Sequence, residues 1–280
     1  METELEGKDC VVTGANSGIG KELAREFAQA GARVFMVCRN LDKGQAALEE
    51  LAAKTGSERL ELLTADMSSL ASIRAFAEDF EHRTPKVDVL MNNAGIYLPK
   101  RMLSVDGHEM MFATNHLGAF LLTQLLLPKL TAAPHARVVT TSSMGHKMAR
   151  LDWDDLECER RFGPLRQYGS TKLMNILFTR ELSRREPGLA VSCFHPGPVA
   201  TNFAQQEPGF FGKLVKLGSY FLRTPKQGAD TGAWLARSDE GGQAKGGYYV
   251  DRHEAVPSPL GRDDEAAAKL WQTSAEMTAA

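Results

Sequence analysis

Apolar positions along the chain fall into short β-branched runs, separated by longer stretches in which they recur every three or four residues. The runs Asp9–Thr13, Arg33–Cys38, Leu60–Ala65, Val87–Met91, Arg137–Ser142, Ala190–Phe194 and Gly247–Val250 predict strands. Between them, sets such as Leu23, Phe27 and Ala30, or Ile73, Phe76 and Phe80, share one helical face. Alternating strands and helices require right-handed crossovers, so the expected fold is α/β. It is a doubly wound parallel sheet of about seven strands with helices on both faces. No fixed-period repeat and no Pro-, Gly- or Ser-rich linker interrupts the alternation, and residues 1–280 are expected to form a single domain.

Residues 202–224 break the pattern. Pro208 to Arg223 puts Phe210, Leu214, Leu217 and Phe221 on one helical face, with Lys213, Lys216 and Arg223 elsewhere around it. The segment follows the sixth strand, where an open α/β sheet exposes its ligand crevice. It reads first as a small helical lid over an apolar substrate; core or oligomer packing and a membrane-surface contact are the alternatives.

Charge and composition narrow the partners. The 33 basic residues nearly balance the 35 acidic ones, so no overall field favours nucleic acid. No apolar run reaches the ~18 residues of a membrane span, and no transmembrane segment is expected. The first residues, Met-Glu-Thr-Glu-Leu-Glu-Gly-Lys, are unlike a secretory leader. Cys10, Cys38, Cys158 and Cys193 are widely spaced; three of them sit in or beside apolar runs and read as buried free thiols. A cytoplasmic location is expected, with a weak membrane contact and a homo-oligomer left open.

The first strand runs into Thr13-Gly14-Ala15-Asn16-Ser17-Gly18-Ile19-Gly20, with a helix expected to begin near Gly18. Glycines here allow a tight turn and close approach to a pyrophosphate, which the helix N-terminus stabilises. This marks a Rossmann-like dinucleotide site, although the spacing is Gly-x-x-x-Gly-x-Gly. The second strand ends in Cys38-Arg39-Asn40, where an acid would accept hydrogen bonds from the ribose and repel a 2′-phosphate. A guanidinium binds phosphate bidentately and stacks on adenine, which favours NADP(H) over NAD(H).

Among the tyrosines, Tyr168 stands out because Lys172 follows four residues later, on the same helical face. A free phenol titrates near ~10, and a nearby ammonium and an oxidised nicotinamide both stabilise phenolate. Reduction of a carbonyl then needs hydride from the cofactor, a proton from Tyr168, and a donor to the substrate oxygen. A serine at the end of the fifth strand fits the last role.

Taken together, these motifs resemble the short-chain dehydrogenase/reductase family along almost the whole chain. The matching residues are Thr13-Gly14-x-x-x-Gly18-Ile19-Gly20, Asp66, Asn92-Asn93-Ala94-Gly95, Asn115, Ser143, Tyr168-x-x-x-Lys172 and Pro196-Gly197. Leu70-Ala-Ser-Ile-Arg-Ala-Phe76, Asn115 to Thr123, Asn175 to Leu182 and Leu270-Trp271 are most similar to the branch of retinol dehydrogenases and retinal reductases.

The resemblance implies that Tyr168 is the general acid/base, that Lys172 lowers its pKa and binds the nicotinamide ribose, and that Asn115 helps hold a proton-relay water. Ser143 would hold the substrate oxygen; it lies 25 residues before Tyr168, in the register the branch uses. Gly14, Asn16, Ser17, Gly18, Ile19 and Gly20 would cradle the phosphates, with Arg39 and Asn40 at the 2′-position. Asp66 and Met67 would meet adenine, Asn92, Asn93, Ala94 and Gly95 would line the adenosine side, and Pro196, Gly197, Val199 and Thr201 would cradle the nicotinamide. Met144 and Phe203 join Ser143 as substrate contacts. Some NADP-dependent members carry a basic residue where this chain has Ser17, which leaves Arg39 as the main source of phosphate selectivity. The branch often carries an N-terminal membrane anchor, whereas here the fold is expected to start within the first ten residues.

The remaining candidates read as structural. The histidines show no metal-ligand spacing, so no metal site is expected. His195 reads as a packing or turn residue, His146 as a solvated loop histidine near the substrate mouth, and Asp152, Asp154 and Asp155 as a solvated acidic loop. Trp271 is expected to anchor an amphipathic terminal helix. The function expected is hydride transfer between NADP(H) and a lipophilic aldehyde, ketone or alcohol, with retinoids among the candidates. An NAD-dependent sterol or alcohol dehydrogenase and a catalytically silent dinucleotide sensor are the alternatives.

Overall fold

The computed structural model describes residues 4–197 and 223–279. Helices and strands alternate: β1 Asp9–Thr13, α1 Gly18–Gln29, β2 Arg33–Cys38, α2 Leu41–Thr55, β3 Leu60–Thr64, α3 Leu70–Phe80 and β4 Val89–Asn92. A long helix α4, Met110–Ala132, follows, and then β5 Arg137–Thr141, α5 Pro164–Arg185 and β6 Ala190–His195. The chain closes with α6 Pro225–Arg237, β7 Lys245–Val250, β8 His253–Ala255 and α7 Asp264–Thr278.

All the strands form one sheet in the order β3-β2-β1-β4-β5-β6-β7-β8. Every pairing is parallel except β7 with β8. Strand side chains alternate between two cores, as a period of two demands. Cys10, Val12, Val34 and Met36 face α1, α2 and α6, where they meet Leu23, Phe27, Leu51 and Ala233. Val11, Phe35, Val37 and Leu90 face the other way, onto Ile73, Phe76, Phe80, Phe120 and Leu126 of α3 and α4. Trp271 of α7 closes this second core against Phe120 and Phe178, with the terminal helix anchored as expected.

Two features differ from the sequence reading. The sheet has an eighth strand, β8, added antiparallel through a tight turn in which Asp251 and Arg252 both have positive φ, 52° and 63°. Helix α4 is long and apolar enough to cross a membrane by composition, at mean hydropathy 1.3, but 78% of that window is buried inside the fold. It is a core helix. Its sequence is apolar nearly all round because α3, α5 and α7 cover it as well as the sheet.

The strand order reverses between β1, which leads outward to β2 and β3, and β4, which leads the other way to β5. At such a switch point the connections leave the carboxyl edge in opposite directions and open a crevice. The residues that follow β1, β4 and β5 converge there.

Candidate active site

The crevice floor is the turn between β1 and α1. Gly14 and Gly18 have φ of 67° and 56°, in the left-handed region that favours glycine. A Cβ on Gly20 would lie 2.3 Å from the Gly14 carbonyl oxygen and 2.5 Å from Asn93 Nδ2, so the turn closes only because no side chain is there. Ser17 flanks α1 in an extended conformation, and its side chain makes no capping bond. The first N–H groups of the helix are left to face an incoming anion, with the helix dipole behind them. Ile19 packs onto the core, and Asn16 is half-buried in the turn.

Thr13 joins this floor to the end of β4. Its Oγ accepts from the backbone N–H of Asn93 at 2.9 Å and of Ala94 at 3.0 Å, while Asn93 Nδ2 donates to the Thr13 carbonyl at 3.0 Å. Asn92 is turned away from the crevice: it is buried and donates to Thr123 of α4 at 2.9 Å. Its side chain therefore braces the strand end, which differs from the cofactor contact expected of it.

At the outer end, Arg39 leaves β2 with 68% of its side chain exposed, 3.8 Å from Asp66 Oδ2. So loose a pair leaves the guanidinium able to turn to another anion. Asp66 Oδ1 accepts from the backbone and the hydroxyl of Ser68, at 2.9 and 2.7 Å. Asn40 caps α2 by accepting from Lys43 N at 2.9 Å, so its side chain has a structural task at the expected 2′-position. Met67 is buried, and a Cβ on Gly118 would lie 2.2 Å from its carbonyl oxygen, so α4 is pressed against this backbone.

Deeper in the crevice, Ser143 begins a short 3₁₀ turn, Met144–Met148, and its Oγ accepts from Gly145 N at 3.1 Å. This turn lies directly on α5: a Cβ on Gly169 would fall 2.5 Å from the Gly145 carbonyl oxygen. Tyr168 stands beside it, edge-on to Tyr97 with ring centroids 6.1 Å apart. Lys172, one turn further along α5, is buried and donates to the Thr141 carbonyl at 3.1 Å. Its Nζ lies 5.7 Å from the centre of the Tyr168 ring. The phenol and the ammonium thus share one pocket, as their spacing predicts.

Asn115 lies in a widened π turn of α4, Ala113–Leu117. Its amide clasps Ile96 in both directions, accepting from the N–H at 2.7 Å and donating to the carbonyl at 3.0 Å. It also donates to Thr171 Oγ at 3.0 Å. A Cβ on Gly95 would lie 3.3 Å from both Asn115 Oδ1 and Lys172 Nζ, so Gly95, Asn115 and Lys172 meet at one point.

Burial governs the electrostatics. Tyr168 keeps part of its surface open, but crowding by neighbouring atoms pushes its phenol up to about 12, against a smaller opposing effect of its hydrogen bond with Ser143. Lys172 is depressed to about 8 because its charged form is desolvated. The chain's own groups therefore keep the phenol protonated at neutral pH; the lowering expected from the sequence draws on an oxidised nicotinamide as well as on Lys172. Burial is the dominant effect on both groups.

Several residues stand elsewhere than expected or were not anticipated. His146 is buried, at 1% exposure, where a solvated loop histidine was expected. Its Nδ1 bonds the Ser143 carbonyl at 2.7 Å and its Nε2 accepts from Ser258 N at 3.1 Å. His195 is buried, as a packing residue is expected to be; its bond from Met144 N at 3.2 Å was not anticipated. The Thr141 carbonyl that holds Lys172 also accepts from Asn175 Nδ2 at 3.1 Å. Asn175 was named only as the start of a stretch similar to the branch, and its place three residues after Lys172 on the same helix is the signal for this contact. Gly197, with φ of 83°, abuts the Arg223 side chain; Pro196 precedes it. Val199, Thr201, Phe203 and, of the segment 202–224 read as a lid, residues 202–222 lie outside the described residues.

A tight glycine turn at a helix N-terminus beside the switch point, with a Tyr–Lys pair on the same sheet edge, is the arrangement of a nicotinamide dinucleotide-dependent oxidoreductase of the α/β kind. The short chain dehydrogenase family model matches residues 8–209. Human retinol dehydrogenase 11 is 39% identical over 276 residues, covering 98% of this chain and 86% of the relative. The crystal structure of a Mycobacterium paratuberculosis protein superposes with a TM-score of 0.80 at 35% identity, covering 98% of this chain and 94% of that one. A short chain dehydrogenase from Shigella flexneri 2a, complexed with NADP, shares the fold at a TM-score of 0.67 and 22% identity, over 89% of this chain and 98% of its own. The chain belongs to the short-chain dehydrogenase/reductase family, in its retinol dehydrogenase-like branch, and so to the enzymes that act on CH–OH and C=O groups.

Proposed function

We propose that this enzyme passes hydride between NADP(H) and a lipophilic aldehyde, ketone or alcohol, with Tyr168 as general acid/base. The observation that carries the reading is the convergence of Tyr168, Lys172, Ser143 and Gly95 on one pocket beside the glycine turn. In reduction, Tyr168 gives its proton to the substrate oxygen, which Ser143 Oγ holds by a hydrogen bond. Lys172 balances the phenolate left behind, and Asn115 fixes the Gly95–Ile96 connection on the relay side of the pocket. The nicotinamide, when bound, supplies the hydride and, once oxidised, a second positive charge near the phenol.

The N-terminus of α1 receives the pyrophosphate and Arg39 the 2′-phosphate, with Asp66 and Ala94 on the adenosine side. The apolar substrate is supported by Met144, Met148 and Leu165, exposed at 51%, 57% and 48% on the turn and helix that carry Ser143 and Tyr168. Retinoids, the substrates named for human retinol dehydrogenase 11, belong to this chemical class. We read residues 1–280 as one catalytic domain, and the free thiols of Cys10, Cys38 and Cys193 support a reducing, cytoplasmic setting.

The test is turnover on a panel of aldehydes of increasing chain length, with NADPH and with NADH. The reading expects faster turnover with NADPH and kcat/KM rising by about fourfold per buried methylene. A clear NADH preference, or indifference to chain length, would overturn the corresponding half of the proposal.

A further inference from the structure

The peptide that joins Ser143 to Met144 is held by two histidines from different parts of the fold. On one side, the Ser143 carbonyl accepts from His146 Nδ1 at 2.7 Å and from the His146 backbone N–H at 3.1 Å. On the other, the Met144 N–H donates to His195 Nδ1, at the end of β6, at 3.2 Å. His146 continues beyond the turn: its Nε2 accepts from Ser258 N at 3.1 Å, and its ring stands edge-on to Tyr248 of β7 at 5.0 Å.

The partners fix the protonation of both rings. A backbone N–H only donates and a carbonyl only accepts. His146 must therefore carry its proton on Nδ1 and leave Nε2 bare, while His195 must leave Nδ1 bare and carry its proton on Nε2. Both rings are neutral, and both are buried, at 1% and 5% exposure. The charged or titratable groups around them are Lys147 on the turn itself, Arg223, Asp251 and Tyr248. Arg223 and Asp251 are paired with each other at 2.6 Å.

We propose that His146 and His195 are positioning residues that lock the Ser143–Met144 peptide, and with it the direction in which Ser143 Oγ presents its hydrogen bond to the substrate oxygen. The proposal rests on Ser143 having that role. Ser143 ends a two-residue link between β5 and the 3₁₀ turn, and its carbonyl accepts the turn's first backbone hydrogen bond. Turning the Ser143–Met144 peptide would break the bonds on both faces at once. The bond to Ser258 extends the lock to the segment between β8 and α7.

Two measurements test this. In ¹⁵N-histidine NMR of the wild-type chain from pH 5.5 to 8, His146 is expected as the neutral Nδ1–H form and His195 as the neutral Nε2–H form. The opposite tautomer, or a protonated ring near neutral pH, would overturn the lock at that residue. The second measurement is kcat with nonanal and NADPH, alongside the Kd for NADPH.

His146→Ala and His195→Ala should each lower kcat by about 10- to 100-fold, the loss expected from a small misplacement, with cofactor affinity unchanged. His146→Asn and His195→Asn, which offer a donor or acceptor near the Nδ1 position, should recover kcat to within a few-fold. Full activity in the Ala variants, or Asn variants as poor as Ala, would refute positioning. Should an Ala variant fail to fold, the NMR signature decides. Absence of wild-type turnover with any aldehyde would instead overturn the proposed reaction, and the NMR result stands apart from it.

Discussion

The ammonium of Lys172 is buried and donates, among the described residues, to the Thr141 carbonyl alone, so its charged form has lost most of its hydration. A fall from the ordinary 10.5 to about 8 corresponds to roughly 3 kcal/mol at ~1.4 kcal/mol per pH unit. The folded state releases this proton more readily than the unfolded chain does. Stability therefore rises with pH between about 8 and 10.5, and the charge costs most below 8. Lys172→Met should raise Tm at pH 7, and its advantage over wild type should shrink as pH climbs from 8 towards 10.5; a constant difference would contradict it. Arg39 offers a second test at this scale. Removing its guanidinium from a phosphate should raise KM for NADPH by about 10- to 100-fold and leave NADH nearly unaffected. Equal losses with both cofactors in Arg39→Ala would show a structural role instead.

Helix α5 and the 3₁₀ turn meet through Gly169, whose missing Cβ lets the Gly145 carbonyl come close. Alanine in a helix interior normally gains about 0.5–1 kcal/mol over glycine. Here the close contact opposes that gain, and the turn carrying Ser143 must move away from Tyr168. Gly169→Ala should lower kcat by about 10- to 100-fold while cofactor binding persists. Wild-type kcat would mean that the two elements are not pressed together.

At this scale much was legible in the sequence. Strands such as Arg33–Cys38 were readable because both faces are buried and every position after Arg33 is apolar. Strand β8 was not, because its His-Glu-Ala is exposed at an edge and its turn uses Asp251-Arg252 instead of the usual glycine. The buried character of α4 depends on which helices cover it, and that is a matter of tertiary arrangement. The roles of His146 and His195 were hidden for a similar reason: their partners Ser143, Ser258 and Met144 come from other elements or are backbone groups.

Across the whole molecule, the reversal of strand order between β1 and β4 brings the glycine turn, Asn93, Ser143 and the Tyr168–Lys172 pair to one edge of the sheet. The sequence named most of these residues, since their types and spacing carry the chemistry. The burial that pushes the phenol up to about 12 in the protein alone was not legible, because desolvation depends on neighbours that no spacing reveals. The sequence also assigned Asn92 to the cofactor, although the fold turns that side chain towards Thr123. The central claim is that the Tyr168 hydroxyl transfers the proton. Tyr168→Phe keeps the ring, its contact with Tyr97 and the dinucleotide cradle, and removes only that hydroxyl. Stopped-flow NADPH oxidation with a lipophilic aldehyde, alongside NADPH titration, should show unchanged cofactor affinity and turnover reduced by about 10²- to 10⁴-fold; turnover near the wild-type rate would contradict the account.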